Sequence, residues 1–322
     1  MKRLLAGGLG LIASAAYLAY AARGLGWTDL QQAFAALTLW PLLVHAAAFA
    51  LVMRARAARF ALALSGPRAL HWRESLPSQM AGYLANFVLP MQAGEVARVA
   101  VASRGLQIPA AEVVAVIALE RVIDLLIALA GLACATLLLP GMTAGLSRAA
   151  TLLAAGVGTG ALGLLWAGLR PAAIQRLLAR LTPVLPARLA APLTQTAHAA
   201  LEGLSLVRAP ARAVRYAGWC SLQWVGWLLS VATTLWAVDL WLGPLAWLLA
   251  SALSTLALIL PAAPGYLGSF QLAYGLALTP LGADPAAAFL AATLLQGLTI
   301  VLALCTALAV QLTGRSLRPP AD

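Results

Sequence analysis

Two short clusters of charged residues stand inside otherwise apolar sequence, and any chemistry this chain performs should involve them. Glu120, Arg121 and Asp124 interrupt the apolar run from about Pro109 to Leu139, and Glu95 and Arg98 follow a proline–glycine break at 89–94. If a helix enters a bilayer near Pro109, Glu120 lies about 15 Å in, at about 1.5 Å per residue. Leaving three such groups unpaired would cost on the order of 8–10 kcal/mol, at about 3 each. They must pair or face a wet cavity. On a helix Glu120 and Asp124 share a face, and Arg121 can pair with Asp124 three positions on. Glu95 and Arg98, again three apart, are expected to meet Glu120 and Arg121 on the inner side of a cavity. The chemistry of such a set is recognition. Guanidinium groups attract a phosphate, while carboxylates balance them or meet a cationic headgroup. The competing reading is a buried ion network that only fixes helix packing.

A second break, at 260–265, is followed by polar but neutral residues: Tyr266, Ser269, Gln271 and Tyr274. The candidate substrate-binding set is therefore Glu95, Arg98, Glu120, Arg121, Asp124, Gln92, Tyr266 and Gln271. Gln79, Asn86 and Gln92 also suit hydrogen bonds between helices. An intramembrane enzyme would need a nucleophile or a metal set. The sequence has no Ser–His or Cys–His arrangement, no HExxH and no Asp-rich metal motif. Glu120 and Asp124 could hold a divalent ion, but adjacent Arg121 argues against it. No catalytic residue, metal site or cofactor is expected.

The elements that must position these residues are membrane helices. Apolar residues fill 62% of 322 positions and charged residues only 10%, with mean hydropathy +0.90; a soluble domain carries about 25% charged residues. The fold class is all-α and polytopic. Six full spans are expected at Leu4–Ala22, Leu39–Val52 (reaching back toward Leu30), about Pro109–Leu139, Ala150–Leu169, Tyr216–Leu240 and Ala286–Leu312. The first could imitate a signal peptide, but its apolar run is long enough to be retained as a helix. Two shorter apolar segments, Ser75–Leu89 and Pro244–Leu260, each end in L-P-x-x-x-G. Proline removes a backbone donor and glycine permits a reversal. Pro90, Gly94, Pro261, Pro264, Gly265 and Gly268 are thus the expected hairpin breaks, within re-entrant elements at 75–104 and 244–280. Such backbone is tolerated at membrane depth only in protein or beside water. Short amphipathic helices on the inner surface account for 171–208.

The net charge is +11. With the N-terminus inside, inner segments hold eighteen of the 21 basic residues, and the outer loops hold only Arg23 and Arg148. Arg54, Arg56, Arg59 and the loop arginines read as orientation determinants. No basic face interleaved with aromatics exists, so nucleic acid is excluded as a partner. Cys134, Cys220 and Cys305 lie far apart inside apolar segments and read as small core residues. In this topology span, span, hairpin, span occurs twice in opposite orientation, at 1–145 and 146–322. That is the layout of an inverted repeat, where broken helices mark a midplane binding site.

The residues Leu89-Pro90-x-x-Ala93-Gly94-Glu95-x-x-Arg98, Glu120-Arg121-x-x-Asp124 and Pro261-x-x-Pro264-Gly265-x-x-Gly268-x-Phe270 carry a resemblance across nearly the whole chain. The sequence resembles the lysylphosphatidylglycerol synthase transmembrane, or flippase-like, family. Members of that family resemble the translocase half of the multiple peptide resistance factor, which carries aminoacylated phosphatidylglycerol to the outer leaflet. Related stand-alone proteins occur with hopanoid and glycolipid pathways. The resemblance implies a flippase of the bacterial cytoplasmic membrane, moving a polar or charged lipid from the inner to the outer leaflet, and the charge count above puts both termini on the cytoplasmic side. Its partners would be membrane lipids: phospholipid, aminoacyl lipid, glycolipid or hopanoid. Only about ten residues follow Leu312, so the acyltransfer activity of bifunctional relatives is not implied. Two alternatives stay open, a non-transporting member of a lipid-synthesis complex and an intramembrane lipid-modifying enzyme. A homo-oligomer or a biosynthetic enzyme partner fits either transport or complex.

Overall fold

The computed structural model describes residues 15–20, 23, 26–64, 70–89, 94–139, 144–184, 194, 197–198, 201, 209–258 and 264–312. Among them every regular element is helical, as the composition requires. Eleven helices matter here: α1 Trp27–Ala35, α2 Trp40–Ala63, α3 Trp72–Val88, α4 Gly94–Leu106, α5 Ala110–Leu138, α6 Ala144–Leu169, α7 Pro171–Leu181, α8 Pro210–Ala237, α9 Pro244–Ala257, α10 Ser269–Leu278 and α11 Pro285–Leu312. Residues 15–20 are also helical, but the rest of the expected first span Leu4–Ala22 lies outside the described residues. So do Pro90, Gln92 and Pro261, and most of 185–208.

By length and composition, α2 and α11 can each cross a membrane. Helix α11 shows why lipid is its solvent. Val301, Leu304, Leu308 and Leu312 recur at helical spacing and are all exposed, a stripe that water would not tolerate but hydrocarbon does. Helices α5 and α8 are 29 and 28 residues long; both carry charged residues. α7 appears where an amphipathic helix was expected, with Arg176 and Arg180 exposed.

Helix α2 corrects the sequence reading. The expected second span ended at Val52, because Arg54 follows. The helix instead runs on to Ala63, since apolar sequence resumes at Phe60-Ala61-Leu62-Ala63-Leu64. Arg54, Arg56 and Arg59 are therefore helical and not loop residues, and Arg59 is 1% exposed. A guanidinium so placed is a structural element, not an orientation signal.

Long helix, broken pair, long helix occurs twice along the chain: α2, α3–α4, α5 and then α8, α9–α10, α11. The broken pairs are short, 17 and 13 residues in the first and 14 and 10 in the second, against about 20 needed to cross. The first pair folds back tightly on itself. At Gly94 an added Cβ would lie 2.3 Å from the Gly82 carbonyl oxygen, and at Gly82 it would lie 2.9 Å from Arg98 Cβ. The Gly94 amide donates to Asn86 Oδ1 at 2.8 Å, tying the break to α3. Gly94→Ala should therefore lower stability by about 1–3 kcal/mol, the usual cost of overpacking, read as a lower unfolding temperature of the purified protein in detergent. Helices α2 and α8 approach closely in the same manner. A Cβ at Gly226 would lie 2.8 Å from Val52 Cγ2 and 3.2 Å from the Ala48 carbonyl oxygen. Small residues at the interface replace hydrophobic drive, which lipid does not supply.

The second break has a different lock. Gly265 and Gly268 take φ of +72° and +84°, and Tyr266 takes +59°, a left-handed turn sequence that glycine permits without strain. The Gln296 amide of α11 donates to the Gly265 and Tyr266 carbonyls at 2.8 and 2.9 Å. Gln271 braces Gln296 in turn, donating to its Oε1 at 2.7 Å and accepting from the Gly268 amide at 2.9 Å. This arrangement satisfies backbone groups that the broken helix leaves open. Removing its centre with Gln296→Leu should cost about 1–3 kcal/mol for the carbonyls stranded, measured by the same thermal unfolding.

Candidate functional site

The buried charges form a single alternating chain. Arg121 of α5 pairs with Glu95 of α4, and Glu95 Oε2 lies 3.5 Å from Arg98 Nη1. Arg98 Nη2 donates to Glu120 Oε2 at 2.6 Å. Glu120 Oε1 lies 3.3 Å from Arg59 Nε. Arg59 then grips Asp124 with both terminal nitrogens, at 2.7 and 2.6 Å. Three guanidinium groups and three carboxylates thus alternate from α5 through α4 and back to α5, with α2 inserted between. Gln223 Nε2 of α8 reaches Asp124 Oδ1 at 3.4 Å. Arg98 lies over the Phe60 ring, 4.3 Å from its centre, a cation–π contact that adds to its hold. A charge at this depth is tolerable only with such partners.

Glu95 and Arg98 do meet Glu120 and Arg121, as their positions in the sequence suggested. The expected Arg121–Asp124 pair does not form. Asp124 belongs to Arg59, 65 positions away, and Arg121 turns to Glu95. An i,i+3 pair on one helix contributes about 0.2–0.5 kcal/mol, so a bidentate guanidinium from a neighbouring helix outcompetes it.

One end of this chain opens into a cleft enclosing about 720 Å³ of empty space, its mouth included. Both broken pairs wall it. From the first come Gln79, Gly82, Tyr83, Asn86, Phe87, Glu95 and Arg98; from the second, Leu258 before the break and Gly265, Tyr266 and Phe270 after it. Helix α2 adds Arg56, α5 adds Arg121, α8 adds Trp227, and α11 adds Leu295, Gln296 and Thr299.

The candidate residues therefore divide. Glu95, Arg98, Arg121 and Tyr266 line the cleft. Glu120 and Asp124 lie behind it at 1% and 7% exposure, held by Arg98 and Arg59. Gln271 is also buried behind the wall, its amide engaged with Gln296 and Thr293. Gln92 lies outside the described residues.

Two cleft residues were given other roles in the sequence reading, Arg56 as an orientation determinant and Gln79 as a hydrogen-bonding residue between helices. Arg56 lies 5.5 Å from the Tyr83 ring centre and has no ion pair or hydrogen bond among the described residues; its Nε is buried without a partner. Gln79 is 1% exposed, and neither its amide nitrogen nor its amide oxygen is bonded. The signal for Arg56 was its place three residues before Arg59, inside a helix whose apolar sequence resumes downstream. Gln79 had none beyond being polar in an apolar segment.

No curated protein and no solved structure matches the chain. Residues 7–307 match the family described as Lysylphosphatidylglycerol synthase TM region. With its apolar helices this makes the chain a membrane protein with a lipid-related role, and it belongs to that family.

Proposed function

We propose that the protein is a lipid translocase, passing a polar or charged headgroup through the cleft from the inner to the outer leaflet while the acyl tails stay in lipid. One observation carries this reading: Arg56, Glu95, Arg98 and Arg121 converge on a cleft walled by both broken helix pairs. A network built solely for packing would close on itself. This one leaves Glu95 and Arg121 20% and 33% exposed in their side chains, open to an occupant.

In the topology that goes with this reading, six spans accompany two re-entrant hairpins. The halves 1–145 and 146–322 run in opposite senses, both termini are cytoplasmic, and the membrane is the bacterial inner one. The hairpins dip from opposite faces, and inward arginines favour loading from the inner leaflet. The groups of the cleft serve as carriers of charge rather than catalysts, with no cofactor required. The lipid classes in view remain phospholipid, aminoacyl lipid, glycolipid and hopanoid.

The test is reconstitution of the purified full chain into liposomes carrying headgroup-labelled lipids in the inner leaflet, followed by quenching from outside. Translocase activity should make inner-leaflet label accessible well above protein-free vesicles. Label that stays protected would overturn the reading and favour a non-transporting partner. New lipid species appearing in the extract would favour an enzyme.

A further inference from the structure

We infer that the cleft contains an oxyanion position between Arg56 and Gln79, so that the preferred headgroup bears a net negative charge: a phosphate with no compensating ammonium. The inference rests on the proposed transport for its statement that the occupant is a lipid; the oxyanion position itself rests on the charge count of the wall and on the unbonded groups of Arg56 and Gln79.

The charges decide it. Arg59, Arg98 and Arg121 are matched one to one by Glu95, Glu120 and Asp124, all within the alternating chain. Arg56 is a fourth guanidinium, set against the Tyr83 ring but with no ion pair or hydrogen bond among the described residues. Helices α3, α8, α10 and α11 and the second break contribute only neutral residues to the cleft wall. The described wall and the network behind it thus carry one unbalanced positive charge. An unpaired cation in low-dielectric surroundings is unfavourable, and a single anion completes it.

Hydrogen bonding agrees with the charge. Gln79 is buried and presents an unbonded amide, where a native core would normally hold a satisfied or apolar group. Its N–H donors and the planar fork of Arg56 together suit an oxyanion. The Tyr83 ring beside Arg56 keeps that fork in place. A cationic headgroup is disfavoured, since the wall sets one carboxylate, Glu95, against the guanidinium groups of Arg56, Arg98 and Arg121.

Binding of short-chain lipids to the full chain in mild detergent tests this. The probes are dioctanoyl phosphatidylglycerol, dioctanoyl phosphatidylcholine, lysyl-phosphatidylglycerol and soluble glycerol phosphate. Phosphatidylglycerol should bind about tenfold more tightly than the zwitterionic or cationic lipid, the effect of one charge-assisted hydrogen bond. Arg56→Gln should erase that preference, and Arg56→Lys should restore part of it. Gln79→Leu should weaken anion binding while raising the unfolding temperature, because it removes an unsatisfied buried amide. Equal binding of all three lipids, or an anion preference that survives Arg56→Gln in folded protein, would overturn the inference. Glycerol phosphate binding as tightly as the lipid, with the same Arg56 dependence, would keep the oxyanion position and remove the lipid. Translocation without charge preference would sink the position alone; charge preference without translocation would sink the transport reading alone.

Discussion

Arg59→Met should yield little folded protein, although Arg59 does not line the cleft. The substitution keeps the bulk of the stem and removes the guanidinium that spans Glu120 and Asp124. Asp124 then retains only Gln223 Nε2 at 3.4 Å, and Glu120 must rely on Arg98. Breaking a buried pair by removing one partner costs about 3–5 kcal/mol, a large share of the roughly 5–15 kcal/mol that holds a native protein together. The expected result is loss of the monodisperse peak on size exclusion in detergent. The double variant Arg59→Met/Asp124→Leu separates charge from shape. It leaves Arg121, Glu95, Arg98 and Glu120 balanced, and it should recover most of the folded protein. A double variant as defective as the single one would mean that Arg59 acts through packing and not through charge.

Glu95→Gln should do the opposite, leaving the fold intact and stopping transport. Glu95 is partly exposed on the cleft wall and joins Arg121 to Arg98. The amide keeps the shape but loses the charge, so both arginines become available to bind any anion that enters. A carrier must release its cargo as well as hold it. Loss of one charge-assisted contact amounts to about 1.5–3 kcal/mol, a factor of roughly ten to a hundred. Translocation in proteoliposomes should fall by that factor, with an unfolding temperature close to the parent's. Wild-type transport by Glu95→Gln would remove the residue from the passage.

Helix positions were largely legible in the sequence, because apolar runs bounded by proline and glycine have few other solutions. The charged span expected at about Pro109–Leu139 is observed at Ala110–Leu138. The convergence of Glu95 and Arg98 on Glu120 and Arg121 was also legible, since isolated charges in one bilayer must find each other. What was not legible is which helix faces which. Sequence spacing offered Asp124 a partner three residues away, while packing offered a better one in Arg59. Arg59 itself was hidden by a local rule. Arginines next to an apolar run read as loop residues, and only the resumption of apolar sequence after Arg59 betrays that α2 continues. Gln271 misled in the other direction. A polar residue after a backbone break looks like a ligand contact, but here the break consumes it: its amide braces Gln296, which holds the Gly265 and Tyr266 carbonyls.

The central claim is that the headgroup travels through the cleft between the broken helix pairs, and filling that cleft tests it most directly. Thr299 of α11 lines the cleft, whereas Val301, two residues on, is 56% exposed on the outer face. Translocation should be measured for Thr299→Trp and Val301→Trp in matched proteoliposomes, with equal amounts of folded protein. Thr299→Trp should lose at least about nine-tenths of the rate, equivalent to roughly 1.4 kcal/mol or more on the barrier, while Val301→Trp transports as the parent does. Full transport with Thr299→Trp would contradict the claim and place the path of the lipid elsewhere.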